Sequence, residues 1–176
     1  MTVLKLLQTF LVGIVLLGCA LAGYAGFRYW EVEQVQRLIA DSSKEPDGPL
    51  GYLTAFKDFA PFECVSISTG FQNSQRSTMQ WAYGKWSFET FIPSLGQTAY
   101  QLIDDSGYYI WRSDGEYLYR IDLESKFSET FQGIEEMTRY PSVEASESCA
   151  PLWFVDEWRF KRPVGRIPEP YKGVVR

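Results

Sequence analysis

The chain of 176 residues contains no histidine. Histidine is a common general base and metal ligand, so its absence removes the usual catalytic triads and most transition-metal sites. There is also no phosphate-binding loop and no Gly-x-Gly-x-x-Gly after a strand. Paired carboxylates such as Asp104-Asp105 do not replace this chemistry, because neighbours in a strand point to opposite faces. We therefore predict a protein that is not an enzyme and that holds no metal or other cofactor.

Cysteine is scarce, with only Cys19, Cys64 and Cys149 in the chain. No Cys-x-x-Cys pair is present to suggest zinc. Cys64 and Cys149 bracket the part of the chain that we expect to fold. They form either a disulfide, which is typical of an oxidising compartment outside the cytoplasm, or two buried free thiols in a cytoplasmic domain.

Positive charge is also scarce over most of the chain. Residues 45–157 include 7 basic and 18 acidic residues, a net charge of −11, whereas residues 159–176 hold six cations and one carboxylate. Because nucleic-acid affinity depends on cations that face phosphates, we predict no nucleic-acid partner. The basic end could contact anionic lipid headgroups or an anionic polymer, it could fold against its own acidic domain, or it could be a solvated tail.

Charge is absent altogether from Leu6–Phe27. At about 1.5 Å per residue, a helix over this segment would be roughly 33 Å long, enough to cross the hydrocarbon core of a bilayer. Lys5 precedes the segment, and Arg28-Tyr29-Trp30 follows it with a cation and two aromatics of the kind found at membrane interfaces. We therefore predict a short flank (1–5) and an uncleaved transmembrane anchor (6–27), with the membrane as a partner.

Two other interpretations of the apolar segment stay open. Ala20-Leu21-Ala22 offers small residues of the kind found where signal peptides are cleaved. Leu16-Leu17-Gly18-Cys19 resembles a bacterial lipobox, in which the cysteine is lipidated. Apolar sequence continues past both positions, which favours the anchor.

Small residues recur at four-residue spacing within this segment, at Gly18, Ala22 and Gly26. On a helix they fall on one face, where a second helix can approach closely. Either the pattern reflects a homodimer through the membrane helix, or it reflects only that Gly and Ala are common in membrane helices.

The rest of the chain divides into three regions. Residues 28–49 are predicted to continue the helix to about Ala40 and then to form a linker, since Pro and Gly break the helical pattern. Residues 50–163 are predicted to form one β-rich domain that begins with a short helix over Leu50–Phe59. Residues 164–176 form a basic tail that contains proline.

Alternation with a period of two begins at Phe62 and is typical of half-buried strands. Short turn sequences, including two with Asp or Ser before Gly, separate the alternating segments and favour hairpins. The predicted strands are Phe62–Thr69, Thr78–Tyr83, Trp86–Ile92, Thr98–Asp104, Tyr108–Ser113 and Glu116–Asp122. They indicate a mainly β fold with a few short helices, built as an antiparallel six-stranded meander that forms a curled sheet or half-barrel. Residues 123–150 are less regular, with a short helix predicted over Phe131–Tyr140.

Aromatic residues make up 16% of the chain and concentrate in the predicted strands. They could form a hydrophobic core under the Leu50–Phe59 helix. Alternatively, a curved meander could leave an aromatic cavity for an acyl chain or another apolar ligand. The candidate ligand-binding residues are Met79, Trp81, Trp86, Phe88, Tyr100, Leu102, Tyr109, Trp111 and Tyr119.

Two blocks resemble a known group of proteins. Asp105-Ser106-Gly107-Tyr108-Tyr109-Ile110-Trp111, followed by Ser113-Asp114-Gly115-Glu116-Tyr117-Leu118-Tyr119, resembles the hairpin strands of uncharacterised exported bacterial β-proteins that are anchored in the membrane. A late Cys-x-Pro-x-Trp segment follows in that group, and here it is Cys149-Ala150-Pro151-Leu152-Trp153. The resemblance implies an envelope protein with a Cys64–Cys149 bridge and implies no activity. In architecture alone, a curled meander behind an apolar segment also resembles the half-barrel lipoprotein carriers.

These observations predict a single-pass membrane protein whose folded domain lies outside the cytoplasm, in the cell membrane or envelope. The first functional hypothesis is a non-enzymatic module that binds a lipid or another apolar ligand in the aromatic sheet. The alternative is a structural or assembly subunit that contacts other envelope proteins. A carrier requires an open cavity, whereas an assembly subunit is expected to have a filled core and an exposed apolar patch.

Overall fold

Two α-helices cover one face of a single antiparallel sheet in the computed structural model, which describes residues 3–40, 47–69, 74–93, 96–125, 144–165 and 167–169. Its helices are α1 (Val3–Ala40), α2 (Pro49–Phe56) and a 3₁₀ helix (Glu157–Phe160). Its strands are β1 (Phe62–Thr69), β2 (Ser74–Ala82), β3 (Lys85–Ile92), β4 (Gln97–Asp104), β5 (Gly107–Arg112), β6 (Tyr117–Ile121) and β7 (Glu144–Pro151). Within the described chain, these strands form one curled sheet in the order β6-β5-β4-β3-β2-β1-β7.

The predicted mainly β fold is confirmed, and all six predicted strands are present in a continuous meander. Two of its turns depend on glycine in the left-handed region, with φ of 68° at Gly84 and 140° at Gly107. Gly107 also lacks space for a side chain, because an added Cβ would lie 2.7 Å from the carbonyl oxygen of Ile121. The sheet edge therefore depends on close backbone approach at this turn.

The sheet has a seventh strand that the sequence pattern did not predict. β7 pairs antiparallel with β1 and becomes the edge of the sheet. Its residues, Glu144–Pro151, include no β-branched or aromatic side chain, so its local strand propensity is weak. Pairing with a distant strand, rather than local preference, accounts for β7. The helix predicted over Phe131–Tyr140 lies outside the described residues.

A disulfide joins β1 to β7. Cys64 and Cys149 lie directly opposite each other in the two strands, with their Cα atoms 4.0 Å apart. Of the two alternatives for these cysteines, the structure has the disulfide. Cys19 lies exposed on α1 and takes no part in a disulfide.

The apolar N-terminal segment and the residues after it form one uninterrupted helix, α1. From residue 7 it is long and apolar enough to span a membrane, with a mean hydropathy of 2.2 in its most apolar window. Its large apolar side chains from Leu7 to Phe27 are exposed, whereas Val32 and Val35 are buried against the sheet. The same helix therefore presents bare apolar surface at one end and packs into the folded domain at the other.

The hydrophobic core lies between one face of the sheet, α2 and the C-terminal part of α1. We call the face that packs against these helices the first face and the opposite one the second face. Trp86, 1% exposed, is at its centre. Five rings surround it at centroid distances of 4.8 to 6.0 Å: Tyr52, Phe56, Phe62, Trp81 and Phe88. The indole N–H of Trp86 donates to the carbonyl oxygen of Tyr52 at 3.4 Å, so its polar atom is satisfied inside the core.

The second face of the sheet has a smaller cluster of its own. Leu102 and Tyr109 are buried there, and Phe160 of the 3₁₀ helix covers them at 4% exposure. The C-terminal segment therefore folds back across the sheet, on the side opposite to α2.

Candidate ligand-binding cleft

The register of the sheet divides the nine predicted ligand-binding residues between its two faces. Residues directly opposite each other in paired antiparallel strands share a face. The first face holds Met79, Trp81, Trp86, Phe88 and Tyr119, and the second holds Tyr100, Leu102, Tyr109 and Trp111. A single concave cavity that all nine residues line is therefore not formed. Within each strand, alternate residues lie on the same face, as predicted. Which of the two faces of the sheet they occupy depends on the number of residues in the turn before the strand.

Four of the first-face residues, Met79, Trp81, Trp86 and Phe88, belong to the filled core, whereas Tyr119 is 43% exposed. Trp81 and Trp86 are 3% and 1% exposed, and their rings contact each other at a centroid distance of 5.6 Å. These two side chains act as core packing around α2, and the space that a carrier would offer to an acyl chain is occupied here by rings of the protein itself. A role for these residues in ligand binding stays a prediction.

A cleft of about 270 Å³ lies on the second face, between the sheet and the C-terminal segment. Tyr100 and Trp111 form its floor. They lie directly opposite each other in β4 and β5, and their rings stack at 6.1 Å with an interplanar angle of 20°. Trp158 and Pro163 form its walls. Two of the predicted ligand-binding residues thus lie side by side in an open site.

Three cations, Arg159, Lys161 and Arg162, line the cleft together with one carboxylate, Glu89. Arg159 donates to Glu89 at 2.8 Å, and its guanidinium lies 5.1 Å from the centroid of the Trp158 ring. Lys161 pairs with Glu157 at 3.5 Å, and Arg162 lies 3.6 Å from Asp104, so each cation of the cleft has a carboxylate beside it above the aromatic floor. Cation–π contact and the ion pair both restrict the Arg159 side chain.

Arg162 is held by the sheet beneath it. Its guanidinium lies 4.5 Å from the Tyr109 ring centroid, and its Nε is 3.6 Å from Oδ2 of the buried Asp104. Arg159 and Arg162 fold against the acidic domain, which is one of the alternatives given above for the basic end of the chain. Most of the basic tail beyond them lies outside the described residues.

The segment after the 3₁₀ helix is fixed by Tyr117, whose hydroxyl donates to the carbonyl oxygen of Pro163 at 2.8 Å. Burial raises the pKa of Tyr117, and the positive charge of Arg162 opposes this change. The hydroxyl therefore remains protonated at neutral pH and continues to donate. Pro163 is thereby held in place as a wall of the cleft.

One polar atom in the cleft wall has no partner. The Nε of Arg159 is buried and finds no hydrogen-bond acceptor among the described residues. The Nε atoms of Arg112 and Arg120, which do not line the cleft, are also buried without an acceptor among the described residues, so this feature does not distinguish the cleft.

The sequence pattern missed Trp158, Arg159 and Arg162 as site residues. A usable signal was present, because aromatic and cationic residues alternate over Trp158-Arg159-Phe160-Lys161-Arg162. The pattern could not indicate which face of the sheet this segment would cover. No group of three or more potential metal ligands occurs in the part of the chain that the structure describes.

No protein-family model, curated protein or solved structure matches this chain. The resemblance to exported bacterial β-proteins therefore stays a prediction. The fold defines a mainly β protein with one long apolar N-terminal helix, and the cleft lies on the face of the sheet opposite to α2.

Proposed function

We propose that the protein is a non-enzymatic, membrane-tethered binding protein of the cell envelope, with its ligand site in the second-face cleft. The observation behind this proposal is the stacked pair Tyr100 and Trp111 under three cations. An apolar floor with a few fixed polar groups is the usual composition of a small-molecule site.

The tether and the location rest on two features. The apolar part of α1 leaves large side chains exposed, such as Leu16 at 65% and Phe10 at 69%, and a bilayer would remove them from water. The Cys64–Cys149 disulfide favours an oxidising compartment, because cytoplasmic thiols are usually kept reduced. Both features support a domain held outside the cytoplasm by an uncleaved anchor.

The cleft indicates the class of ligand. Its volume of about 270 Å³ is slightly below the roughly 300–1,000 Å³ of typical small-molecule pockets, so a single ring suits it better than a whole acyl chain. The aromatic floor favours a flat apolar surface, and Arg159 and Arg162 favour a carboxylate or phosphate. We propose a small ring-bearing anion, which includes the headgroup end of a larger amphiphile.

Fluorine NMR on the full chain in detergent micelles, with 5-fluorotryptophan in place of tryptophan, tests this site. Benzoate and glucuronate serve as anionic ring probes, and benzyl alcohol and glucose as their neutral counterparts. We expect an anionic probe to shift the Trp111 and Trp158 signals but not that of Trp153, which lies outside the cleft and is 48% exposed, against 56% for Trp158. Trp111→Phe, Trp158→Phe and Trp153→Phe variants assign the signals.

Arg162→Gln should weaken binding of the responding probe, whereas Arg37→Gln, which removes an exposed cation of α1, should not. Binding that is equal for the anionic and neutral probes would contradict the assigned ligand class. If no probe moves the Trp111 or Trp158 signal, the cleft is not a site for this class of ligand.

The second candidate function is a structural or assembly subunit. The observations that favour it are the filled core around Trp86 and the exposed pair Trp153 and Phe154, which are 48% and 91% accessible. A photo-crosslinker at position 154 in intact cells tests it. Attachment to one protein species would favour an assembly subunit, and attachment to lipid alone would count against it. Self-association through Gly18, Ala22 and Gly26 stays a prediction for the same membrane context.

A further inference from the structure

Two large aromatic side chains extend from the domain just after β7. Trp153 is 48% exposed and Phe154 is 91% exposed, although Pro151 before them and Phe160 after them are buried. A nearly bare phenylalanine beside a half-exposed tryptophan is an unusual surface for a protein in water. We define Leu152–Val155 as the aromatic loop.

The aromatic loop is fixed to the anchor helix through a shared acceptor. The carbonyl oxygen of Pro61 accepts hydrogen bonds from the backbone N–H of Leu152, at 3.0 Å, and from the guanidinium of Arg28. Arg28 lies one residue beyond the apolar segment and is only 3% exposed. The loop therefore begins at the level where the apolar part of α1 ends.

From that point, Trp153 reaches back along the apolar part of α1. Its ring meets the Tyr24 ring edge-on, with centroids 6.0 Å apart. Tyr24 precedes Phe27 by three residues, which corresponds to about 4.5 Å along the helix axis. Trp153 thus lies beside the last turn of the apolar segment, at the end nearest the folded domain, rather than beyond that segment.

Further exposed aromatics surround this level of α1. Phe27 and Trp30 are each 56% exposed, and their rings are 5.9 Å apart. Tryptophan and tyrosine concentrate where hydrocarbon meets headgroups, because each offers an apolar ring with a polar atom. The aromatic loop and this part of α1 present one continuous aromatic surface at the base of the domain.

We propose that the aromatic loop is a second membrane contact, in which Trp153 and Phe154 enter the interface of the same bilayer that α1 spans. The proposal rests on the membrane tether described under the proposed function. A helix alone would let the domain take many orientations, whereas a second contact point beside it fixes one. The loop therefore orients the sheet, and the cleft on its second face, relative to the membrane.

Charge does not explain this contact. Asp156 and Glu157 follow the loop directly, and both are exposed. Anionic headgroups would repel these carboxylates, so apolar burial rather than electrostatic attraction must hold the loop. The contact should accordingly form in zwitterionic vesicles and should not require phosphatidylglycerol.

Nitroxide accessibility measured by EPR on the full chain in phosphatidylcholine vesicles tests this inference. A Phe154→Cys substitution in a Cys19→Ser background gives one labelling site, because the other two cysteines form the disulfide. Ser113→Cys, in the exposed β5–β6 turn at the opposite edge of the sheet, is the aqueous control. Leu16→Cys, in the apolar part of α1, is the membrane control.

We expect the label at position 154 to be accessible to oxygen and protected from a water-soluble nickel complex, at a depth of about 5–10 Å below the headgroup surface. The label at 113 should show the opposite preference. If position 154 matches position 113 while position 16 lies in the bilayer, the loop inference is overturned and the tether stands. If position 16 is also in water, the tether itself is wrong. A depth at 154 that appears only with phosphatidylglycerol would overturn the apolar basis of the contact.

Discussion

Replacing Arg28 with methionine should destabilise the junction between the anchor helix and the domain. The guanidinium of Arg28 donates to a Glu31 carboxylate oxygen and to the carbonyl oxygen of Pro61. The side chains of the ion pair are only 4% and 13% exposed. Glu31 in turn accepts from the backbone N–H of Ala60 at 3.0 Å. One buried cation therefore joins α1 to the chain between α2 and β1.

The expected cost follows from this burial. Removing one partner of a buried ion pair costs about 3–5 kcal/mol, because the other charge is left without compensation. Since Glu31 keeps some contact with water and its bond to Ala60, we expect Arg28→Met to lower the free energy of unfolding by about 3 kcal/mol, the low end of that range. Methionine retains most of the side-chain volume, so the loss reflects charge and hydrogen bonding rather than a cavity.

Arg37→Met provides the matched control. Arg37 pairs with Glu33 on the same helix at 2.6 Å, but these side chains are 66% and 57% exposed, so the change should cost about 0.5 kcal/mol or less. Urea unfolding of the full chain in mild detergent, followed by near-ultraviolet circular dichroism, measures both variants. Equal effects of the two substitutions would refute the conclusion that Arg28 is a buried structural link.

Three further outcomes test the core, the disulfide and a buried hydroxyl. Trp86→Ala should lower the free energy of unfolding by about 3–5 kcal/mol, because it deletes the central core ring. Trp158→Ala, at an exposed position, should change the urea midpoint little. A stable Trp86→Ala variant that gains affinity for fatty acid would favour a lipid carrier instead. The double substitution Cys64→Ser with Cys149→Ser should cost up to about 4.6 kcal/mol, since the bridge closes a separation of 85 residues in the chain-entropy model; an unchanged urea midpoint would contradict this. Burial raises the pKa of Tyr108, with a smaller contribution from Tyr52, so its hydroxyl should stay protonated in the folded protein at pH values where exposed tyrosines ionise. Because the unfolded chain loses that proton near pH 10 and the folded chain keeps it, the free energy of unfolding should fall as the pH rises above about 10. Spectrophotometric titration at 295 nm measures the ionisation of the hydroxyl, and urea midpoints at pH 9 and 11 measure the loss of stability. Tyr108→Phe is the control for both.

Local pattern was sufficient for the helix and for six strands. The uninterrupted apolar segment before Arg28 favours a helix. The segments between Phe62 and Ile121, in which apolar and polar residues alternate, favour strands. These are short-range properties of side chains and turns, so they can be read from neighbouring residues. β7 could not be predicted in this way. Its residues have weak strand propensity, and the strand is stabilised by pairing with β1, which is distant in the sequence.

The candidate site was only partly accessible from the sequence. Alternation correctly paired Tyr100 with Leu102 and Tyr109 with Trp111 on one side of each strand, but it could not place them against Trp81 and Trp86. The face of the sheet on which a given side chain lies depends on the number of residues in the preceding turn and, in the β5–β6 pair, on the bulge. A shift of one residue moves every side chain to the other face, which is why the predicted aromatic set divides in two.

The amino-acid sequence by itself determined that this protein has a long apolar helix, an antiparallel sheet and no histidine chemistry, because hydrophobic period and residue type act locally. Only the tertiary structure decided that Arg28 is buried, that Trp153 lies against Tyr24, and that Arg159 and Arg162 stand above Tyr100 and Trp111. These contacts join residues far apart in the chain. Their free energy exists only after the sheet has closed over its core, so no local pattern encodes them.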